Sequence, residues 1–122
     1  MSEFGYKGLV GYQKSYDLVK EIYKSAVKLP EYERNNIQSQ IRRAVTSIPL
    51  NIAEGYGKKE SKREFKRFLI IAKGSATEVE VLIELCRDFG YISEEEHERL
   101  HAKVVEVIKI LSGLIKSCTE RT

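Results

Sequence analysis

Two histidines and a glutamate have the spacing of a metal-dependent hydrolase. His97, Glu98 and His101 lie in the segment His-Glu-Arg-Leu-His, which matches the pattern H-E-x-x-H. On a helix, two histidines four residues apart share one face and can bind Zn²⁺, while the glutamate activates the bound water. No third ligand is signalled, because Glu106 and Glu120 occupy generic helical positions. Zinc hydrolysis is therefore kept as the less favoured alternative to an ordinary solvated first helical turn.

Other signatures of catalysis are missing. The segment Gly55-Tyr56-Gly57 follows a predicted helix and has too few glycines for a phosphate-binding fingerprint. Two cysteines, Cys86 and Cys118, are too few for a disulfide framework or a cysteine zinc site, and we interpret both as small apolar residues. We expect no enzymatic activity, no metal and no cofactor.

The distribution of charge favours a polyanionic partner. Residues 34–73 carry ten basic and three acidic side chains, whereas residues 74–101 carry two and eight. Like charges four residues apart on a helix repel, so a chain optimised only for stability would alternate their signs. We predict that the basic side chains contact the phosphates of nucleic acid through charge and counterion release. The predicted contacts are Arg42, Arg43, Lys58, Lys59, Lys62, Arg63, Lys66 and Arg67.

Two alternatives to nucleic acid stay open. The basic residues can form an ordinary solvated helix face, or they can pair with acidic residues of a neighbouring subunit or a protein partner. In the second case the protein would be an interaction scaffold. The acidic residues in question are Glu78, Glu80, Glu84, Glu94, Glu95, Glu96 and Glu98.

Composition and periodicity predict an all-helical chain. The 122 residues suffice for one domain, and two prolines and eight glycines leave little room for hairpin turns. Apolar residues at helical spacing predict helix 1 from Tyr12 to just before Pro30, and helix 2 from about Glu31 to Glu54. The predicted buried stripe of helix 1 is Tyr12, Tyr16, Val19, Tyr23 and Val27, widened by Leu18, Ile22 and Ala26. The predicted buried stripe of helix 2 is Ile37, Ile41, Ala44, Val45, Ile48 and Ile52.

Helix 2 contains a proline in its interior. Pro49 removes one backbone donor, and we expect a kink there, with Thr46 and Ser47 bonding the carbonyls that lose their partner. The alternative is a helix that stops near Ile48. We expect Gly55-Tyr56-Gly57 to end the helix, and Asn51 and Glu54 to organise the junction with helix 3.

The limits of helices 3 and 4 are marked by capping residues. Ser61 with Glu64 begins helix 3, and Ser93 with Glu96 begins helix 4. Gly90 supplies the left-handed residue that ends helix 3. Short connections then favour an antiparallel, up-down-up-down four-helix bundle.

Helix 3 has more apolar residues than one buried stripe needs. Val81, Leu82, Leu85 and Phe89 are predicted to form a second apolar face, and hence an oligomer interface. The predicted organisation is an N-terminal arm over residues 1–11, one bundle domain over 12–117 and a C-terminal tail over 118–122. Since there is no membrane-spanning or signal segment, we expect a cytoplasmic protein.

Several segments together resemble a known family. They are Ser39-Gln40-Ile41-Arg42-Arg43-Ala44, Ser47-Ile48-Pro49 with Asn51-Ile52-Ala53-Glu54-Gly55, Ser61-Lys62 with Glu64-Phe65 and Phe68-Leu69, and Asp88 with Gly90-Tyr91-Ile92. From about Leu9 to Leu114, the sequence resembles the four helix bundle proteins, also called 23S rRNA intervening-sequence proteins.

The resemblance implies a small bacterial cytoplasmic protein without enzymatic activity. It also implies a homopentamer, by distant similarity to the accessory variability determinant of diversity-generating retroelements, which binds nucleic acid and a reverse transcriptase. The expected partners are therefore other copies of the chain, nucleic acid such as rRNA, and a nucleic-acid enzyme such as a reverse transcriptase.

Overall fold

The structure, a computed structural model, describes residues 5–120, and all the regular secondary structure in that range is helical. Four α-helices follow one another: α1 (Val10–Ala26), α2 (Ile37–Tyr56), α3 (Lys62–Asp88) and α4 (Glu94–Glu120). Short 3₁₀ helices at Gly5–Gly8 and Glu31–Glu33 precede α1 and α2. Residues 5–120 contain no strand, which confirms the predicted all-α class with four helices. Parts of the predicted arm and tail, residues 1–4 and 121–122, lie outside the described range.

The predicted capping residues define the limits of α3 and α4. Ser61 Oγ accepts a hydrogen bond from the Glu64 amide at 3.2 Å, and Ser93 Oγ accepts one from the Glu96 amide at 3.0 Å. Gly90 has φ = 80°, as predicted for the end of α3. Both helix starts could be predicted because each cap joins residues only three positions apart.

The core is aliphatic and is shared by all four helices. Helix α1 packs on α2 and α4, and α3 packs on the same two helices. The largest fully buried side chains are Leu18, Ile22, Val45, Ile48, Ile52, Leu69, Val79, Ile83, Leu100, Val104, Val107 and Leu111. The predicted buried stripe of helix 2 is confirmed, since its residues Ile37, Ile41, Ala44, Val45, Ile48 and Ile52 are all buried.

Contacts between neighbouring helices fix which ends meet. On the seam between α1 and α4, Lys14 pairs with Glu106 at 3.3 Å and Glu21 with Arg99 at 2.6 Å. On the seam between α2 and α3, the hydroxyls of Ser47 and Ser75 are 2.8 Å apart. The Cβ of Phe68 lies beside Gly55 on the same seam. A Cβ added to Gly11, at the start of α1, would lie 4.0 Å from Ile52 Cδ1 on α2 and 3.8 Å from Leu114 Cδ1 on α4. The end of α2, where the loop to α3 begins, therefore lies at the same end of the molecule as the start of α1 and the end of α4.

The buried face predicted for helix 1 was correct only in part. Leu18, Ile22 and Ala26 are buried, whereas Tyr16 and Val27 are 51% and 71% exposed. Both sets have helical spacing, so periodicity alone does not separate them. The smaller aliphatic side chains pack closely in the core, whereas tyrosine keeps its hydroxyl near water.

Helix α2 begins later than predicted and ends within the segment Gly55-Tyr56-Gly57, as predicted. It begins at Ile37, because Glu31–Glu33 form a separate 3₁₀ helix, and it ends at Tyr56. It passes through the buried Pro49, so the alternative of a helix that stops near Ile48 is wrong.

The proposed compensation around Pro49 is also wrong in its partners. The Thr46 hydroxyl donates to the carbonyls of Arg42 and Arg43, at 2.9 and 3.1 Å, and not to that of Val45, which faces the missing amide. Ser47 is instead bonded to the hydroxyl of Ser75 on α3.

Candidate nucleic-acid interface

Six basic residues surround the loop between α2 and α3. We call this group the basic end: Lys58, Lys59, Lys62, Arg63, Lys66 and Arg67. The cap at Ser61 starts α3 directly after the loop, so four of the six lie on its first two turns. All are exposed except Lys66, which is half-buried. Among the side chains that the structure describes, those of residues 5–119, the only one of the six in an ion pair is Arg67, which lies 3.2 Å from Glu64.

Aromatic rings lie among these cations. The Lys59 Nζ is 4.8 Å from the centre of the Tyr56 ring, and the Arg67 Cζ is 4.5 Å from the centre of the Phe68 ring. Such contacts hold the long side chains near the surface without neutralising them. The basic end therefore keeps its positive charge available to an external anion.

The acidic residues at the opposite end of the molecule are largely paired within the chain. Arg87 lies 3.1 Å from Asp88 and 4.0 Å from both Glu84 and Glu94. Glu96 accepts hydrogen bonds from Ser25 and from Lys28, the latter at 3.0 Å. Burial alone would raise the pKa of Glu96, but these hydrogen bonds lower it below its usual range. Glu84, Glu94 and Glu96 thus have cationic partners within the chain, whereas Glu95 and Glu98 are exposed.

Two predicted phosphate contacts lie away from the basic end. Arg43 precedes Tyr56, the last residue of α2, by 13 residues, or about 20 Å of helix. Its guanidinium is 3.4 Å from the Ser39 hydroxyl, whereas that of Arg42 lies 5.9 Å from the centre of the Tyr23 ring. Although these arginines are close to the basic segment in sequence, they do not lie near the loop, because most of the length of α2 separates them from it.

Of the two residues predicted to organise the junction, Asn51 bonds within α2 and Glu54 is exposed. Asn51 donates to the Ser47 carbonyl and hydroxyl, at 2.8 and 2.9 Å, and Ser47 in turn reaches Ser75 on α3. This polar group ties the middle of α2 to α3 and lies before the junction. Helix α2 continues through Gly55, so this glycine does not end the helix; it lies against α3.

The H-E-x-x-H residues are arranged differently from a zinc site. His97 is 6% exposed, and its Nδ1 is 3.4 Å from the guanidinium of Arg87. His101 Nε2 is 3.0 Å from a carboxylate oxygen of Glu80, while Glu98 points to solvent. A guanidinium beside His97 disfavours a second cation at that nitrogen. Among residues 5–120, no group of three or more His, Cys, Asp or Glu side chains could hold a metal.

The predicted apolar face on α3 is narrower than expected. Val81, Leu85 and Phe89 are 51%, 37% and 57% exposed, but Leu82 is buried in the core. Leu82 follows the buried Val79 by three residues and precedes Cys86 by four, so it shares their side of the helix. We call Val81, Leu85 and Phe89 the outer face of α3.

A cavity beside the basic end was not predicted from sequence. It has a volume of about 390 Å³ and is lined by Lys59, Glu60, Lys62, Phe65, Ser117 and Cys118. The last two residues belong to α4, where the sequence analysis placed a C-terminal tail from residue 118. These two residues follow the loop by more than 50 positions in the sequence, so no local pattern could predict that they line the same cavity.

These features define a class of protein: a small all-α chain of four helices with a cationic loop at one end and internally paired acidic groups at the other. No helix among residues 5–120 is long and apolar enough to cross a bilayer. The chain belongs to the 23S rRNA-intervening sequence protein family, whose sequence profile matches residues 7–113.

A solved structure supports the same assignment. A crystal structure of a protein of unknown function from the S23 ribosomal protein family of Bacteroides thetaiotaomicron VPI-5482 is 33% identical in sequence. The similarity covers 88% of this chain and 99% of the other, with a TM-score of 0.78. A search among curated proteins finds no significant match.

Proposed function

We propose that this protein binds the backbone of nucleic acid through its basic end, without catalysing a reaction. The observation that carries the proposal is the set of six basic side chains around one loop, of which only Arg67 is in an ion pair with a side chain of residues 5–119. An uncompensated group of cations is unfavourable in the free protein and becomes favourable against phosphates, where it releases condensed counterions. The family name points to RNA as the first ligand to test.

The contacts along the helix seams support an antiparallel, up-down-up-down topology. A bend of α2 at Pro49 is inferred from the missing amide of that proline in the interior of the helix. We further infer that the working unit is a homo-oligomer, with a pentamer as the expected state. The outer face of α3 supports this, because three large apolar side chains on one exposed stripe are costly in a monomer. The cytoplasm is the expected location, and a reverse transcriptase is one possible protein partner.

A charge-reversal experiment tests the proposal. Lys62 and Lys66 lie four residues apart on α3, and Lys20 and Lys24 lie four residues apart on α1, at the exposed surface and away from the loop. Reversing either pair to glutamate changes the net charge by the same amount. Lys62→Glu/Lys66→Glu should weaken RNA binding more than tenfold and reduce the slope of log K against log salt by about 1.5 to 2.

The matched variant Lys20→Glu/Lys24→Glu should change binding much less. Equal losses in the two variants would mean that net charge, and not the basic end, determines affinity. Unchanged binding in Lys62→Glu/Lys66→Glu would contradict the proposal directly. Circular dichroism and thermal unfolding of both variants confirm that the fold is retained.

A second candidate function is an interaction scaffold held together by charge. The observation that favours it is the location of opposite charges at opposite ends of the chain, which allows the basic end of one copy to meet Glu95 and Glu98 of another. Both carboxylates are exposed, and neither is in an ion pair within the described part of the chain. Such an assembly should dissociate as salt rises from 0.1 to 1 M, because the Debye length falls from about 10 Å to about 3 Å and screens the attraction between the charges.

A further inference from the structure

The cavity at the basic end combines an aromatic ring with flanking cations. Lys59 and Lys62 lie at its rim on the loop and on the first turn of α3, and Phe65 forms part of its wall. Ser117 and Cys118 line it from α4. Its volume of about 390 Å³ leaves room for a planar aromatic group and some water.

The ring of Phe65 is held firmly in place. It is half-buried, packs against the core and makes an edge-to-face contact with Tyr56, with ring centres 6.2 Å apart. Gly55 lies close to this ring, since a Cβ added to Gly55 would be 3.2 Å from Phe65 Cδ1. A fixed ring loses little conformational entropy on binding, which suits it as a stacking platform.

The polar groups of the cavity match the edge and the flanks of a nucleotide. Lys59 and Lys62 are exposed and line the cavity, so their ammonium groups can reach the phosphates of a strand whose base occupies it. The carboxylate of Glu60 accepts hydrogen bonds, as the exocyclic amino groups of cytosine and adenine require. The Ser117 hydroxyl already donates to the Leu114 carbonyl at 2.9 Å, so it is oriented to accept a further hydrogen bond.

We infer that this cavity binds one unpaired nucleobase, stacked on Phe65 between phosphates held by Lys59 and Lys62. The inference rests on the proposed function and specifies its ligand: single-stranded nucleic acid is preferred to a duplex. A base within a duplex is stacked on both faces and paired at its edge, so it cannot enter a cavity in the protein.

The test compares a fluorescently labelled single-stranded RNA of mixed sequence with the same strand in a duplex, at one salt concentration. The wild-type protein should bind the single strand more tightly. Phe65→Leu keeps an apolar side chain but removes the aromatic face, and should weaken single-strand binding about 5- to 100-fold, the usual range for one stacked base. Its duplex binding should stay within twofold of wild type. Tyr32→Leu, which removes a ring that is 76% exposed near the opposite end, serves as the control and should change neither.

A second variant blocks the cavity without altering the loop. Ser117 is exposed on α4, and Ser117→Phe should fill the space and reproduce the selective loss of single-strand binding. Equal wild-type affinity for the two forms, or full single-strand binding by both variants, would overturn the inference while leaving the proposed function intact. A wild-type protein that binds neither form contradicts the proposed function itself.

Discussion

Gly55 on α2 lies directly against the Cβ of Phe68 on α3. A methyl group added at Gly55 would lie 2.7 Å from that atom, which is closer than two carbon atoms can approach without displacement. The two helices therefore meet at a point where only a hydrogen fits between them. Because α2 ends at Tyr56, one residue later, this contact fixes where the loop carrying Lys58 and Lys59 leaves the bundle.

The first prediction concerns this contact. Gly→Ala in a helix normally stabilises a protein by roughly 0.5–1 kcal/mol, because glycine loses more backbone entropy on folding. Gly55→Ala should instead lower the free energy of unfolding, by about 1–3 kcal/mol, since the methyl group overpacks the seam. Gly74→Ala is the matched control, because Gly74 lies in the interior of α3 with no atom within 4 Å of the added methyl, and it should stabilise. Urea titration of the three proteins measures both signs; stabilisation by Gly55→Ala would show that the seam relaxes freely.

The second prediction concerns pH. Glu33 is buried and accepts hydrogen bonds from the Tyr91 hydroxyl at 2.7 Å, the Asn36 amide at 3.1 Å and the Ile37 backbone amide at 3.4 Å. The hydrogen bond from Tyr91 is the largest contribution, and the pKa of Glu33 lies below its ordinary value of 4.5. A carboxylate with a lowered pKa stabilises the fold above its unfolded pKa, and this stabilisation disappears as pH falls through the folded pKa.

Tyr91→Phe should therefore be less stable than wild type at pH 7, and the difference should shrink at pH values below about 4. Denaturant unfolding at pH 7, 5 and 3 measures the difference. A gap of constant size across this range would mean that Tyr91 stabilises the protein through packing and not through the Glu33 carboxylate.

The third prediction concerns the H-E-x-x-H segment. Zinc that binds only the folded protein raises its melting temperature, by an amount that grows with the logarithm of the ratio of free zinc to the dissociation constant. Because His97 is buried beside Arg87 and His101 contacts Glu80, 0.1 mM Zn²⁺ should leave the melting temperature unchanged. His101→Ala is the informative variant, since His101 is partly exposed, whereas His97→Ala also removes a core side chain. A zinc-dependent rise in melting temperature that His101→Ala abolishes would restore the metal-site hypothesis.

The fourth prediction concerns the outer face of α3. Leu85→Lys/Phe89→Lys should lower the mass of the assembly in solution, measured by light scattering, because lysine at an apolar interface leaves a charge unpaired. The helical signal of the protomer should be retained, since both positions are exposed.

Leu82→Ala provides the contrast for that experiment. Leu82 is the neighbouring core residue, and its truncation should reduce the free energy of unfolding by about 2–5 kcal/mol. An assembly whose mass is unchanged by Leu85→Lys/Phe89→Lys would place the contact between subunits elsewhere on the surface.

Features determined by nearby residues were predictable. The helix class, the caps at Ser61 and Ser93 and the left-handed Gly90 all follow from interactions over a few positions. The stripe of α2 was also correct, because the rest of that helix is polar enough to leave one choice. Helix α1 offered two stripes of similar hydrophobicity, and packing against α2 and α4 selected the aliphatic one.

Features that depend on contacts between distant segments were not predictable. The seam at Gly55 requires Phe68 on another helix, and the cavity requires Ser117 and Cys118 from α4. Arg42 and Arg43 joined the predicted site because they lie in the same basic third of the sequence. Only the helix rise along α2 shows that they are separated from Lys58 by most of its length.

The opposite charges at the two ends of the bundle give the molecule an electric dipole along its long axis. In the field of a polyanion, a torque turns the basic end forward and the acidic end away before the surfaces touch. Productive collisions are then a larger share of all encounters than random orientation would give, and this gain falls as salt screens the field. The arrangement of charge along these helices therefore determines how the protein is oriented as it approaches a polyanion, as well as which residues contact the polyanion once it is bound.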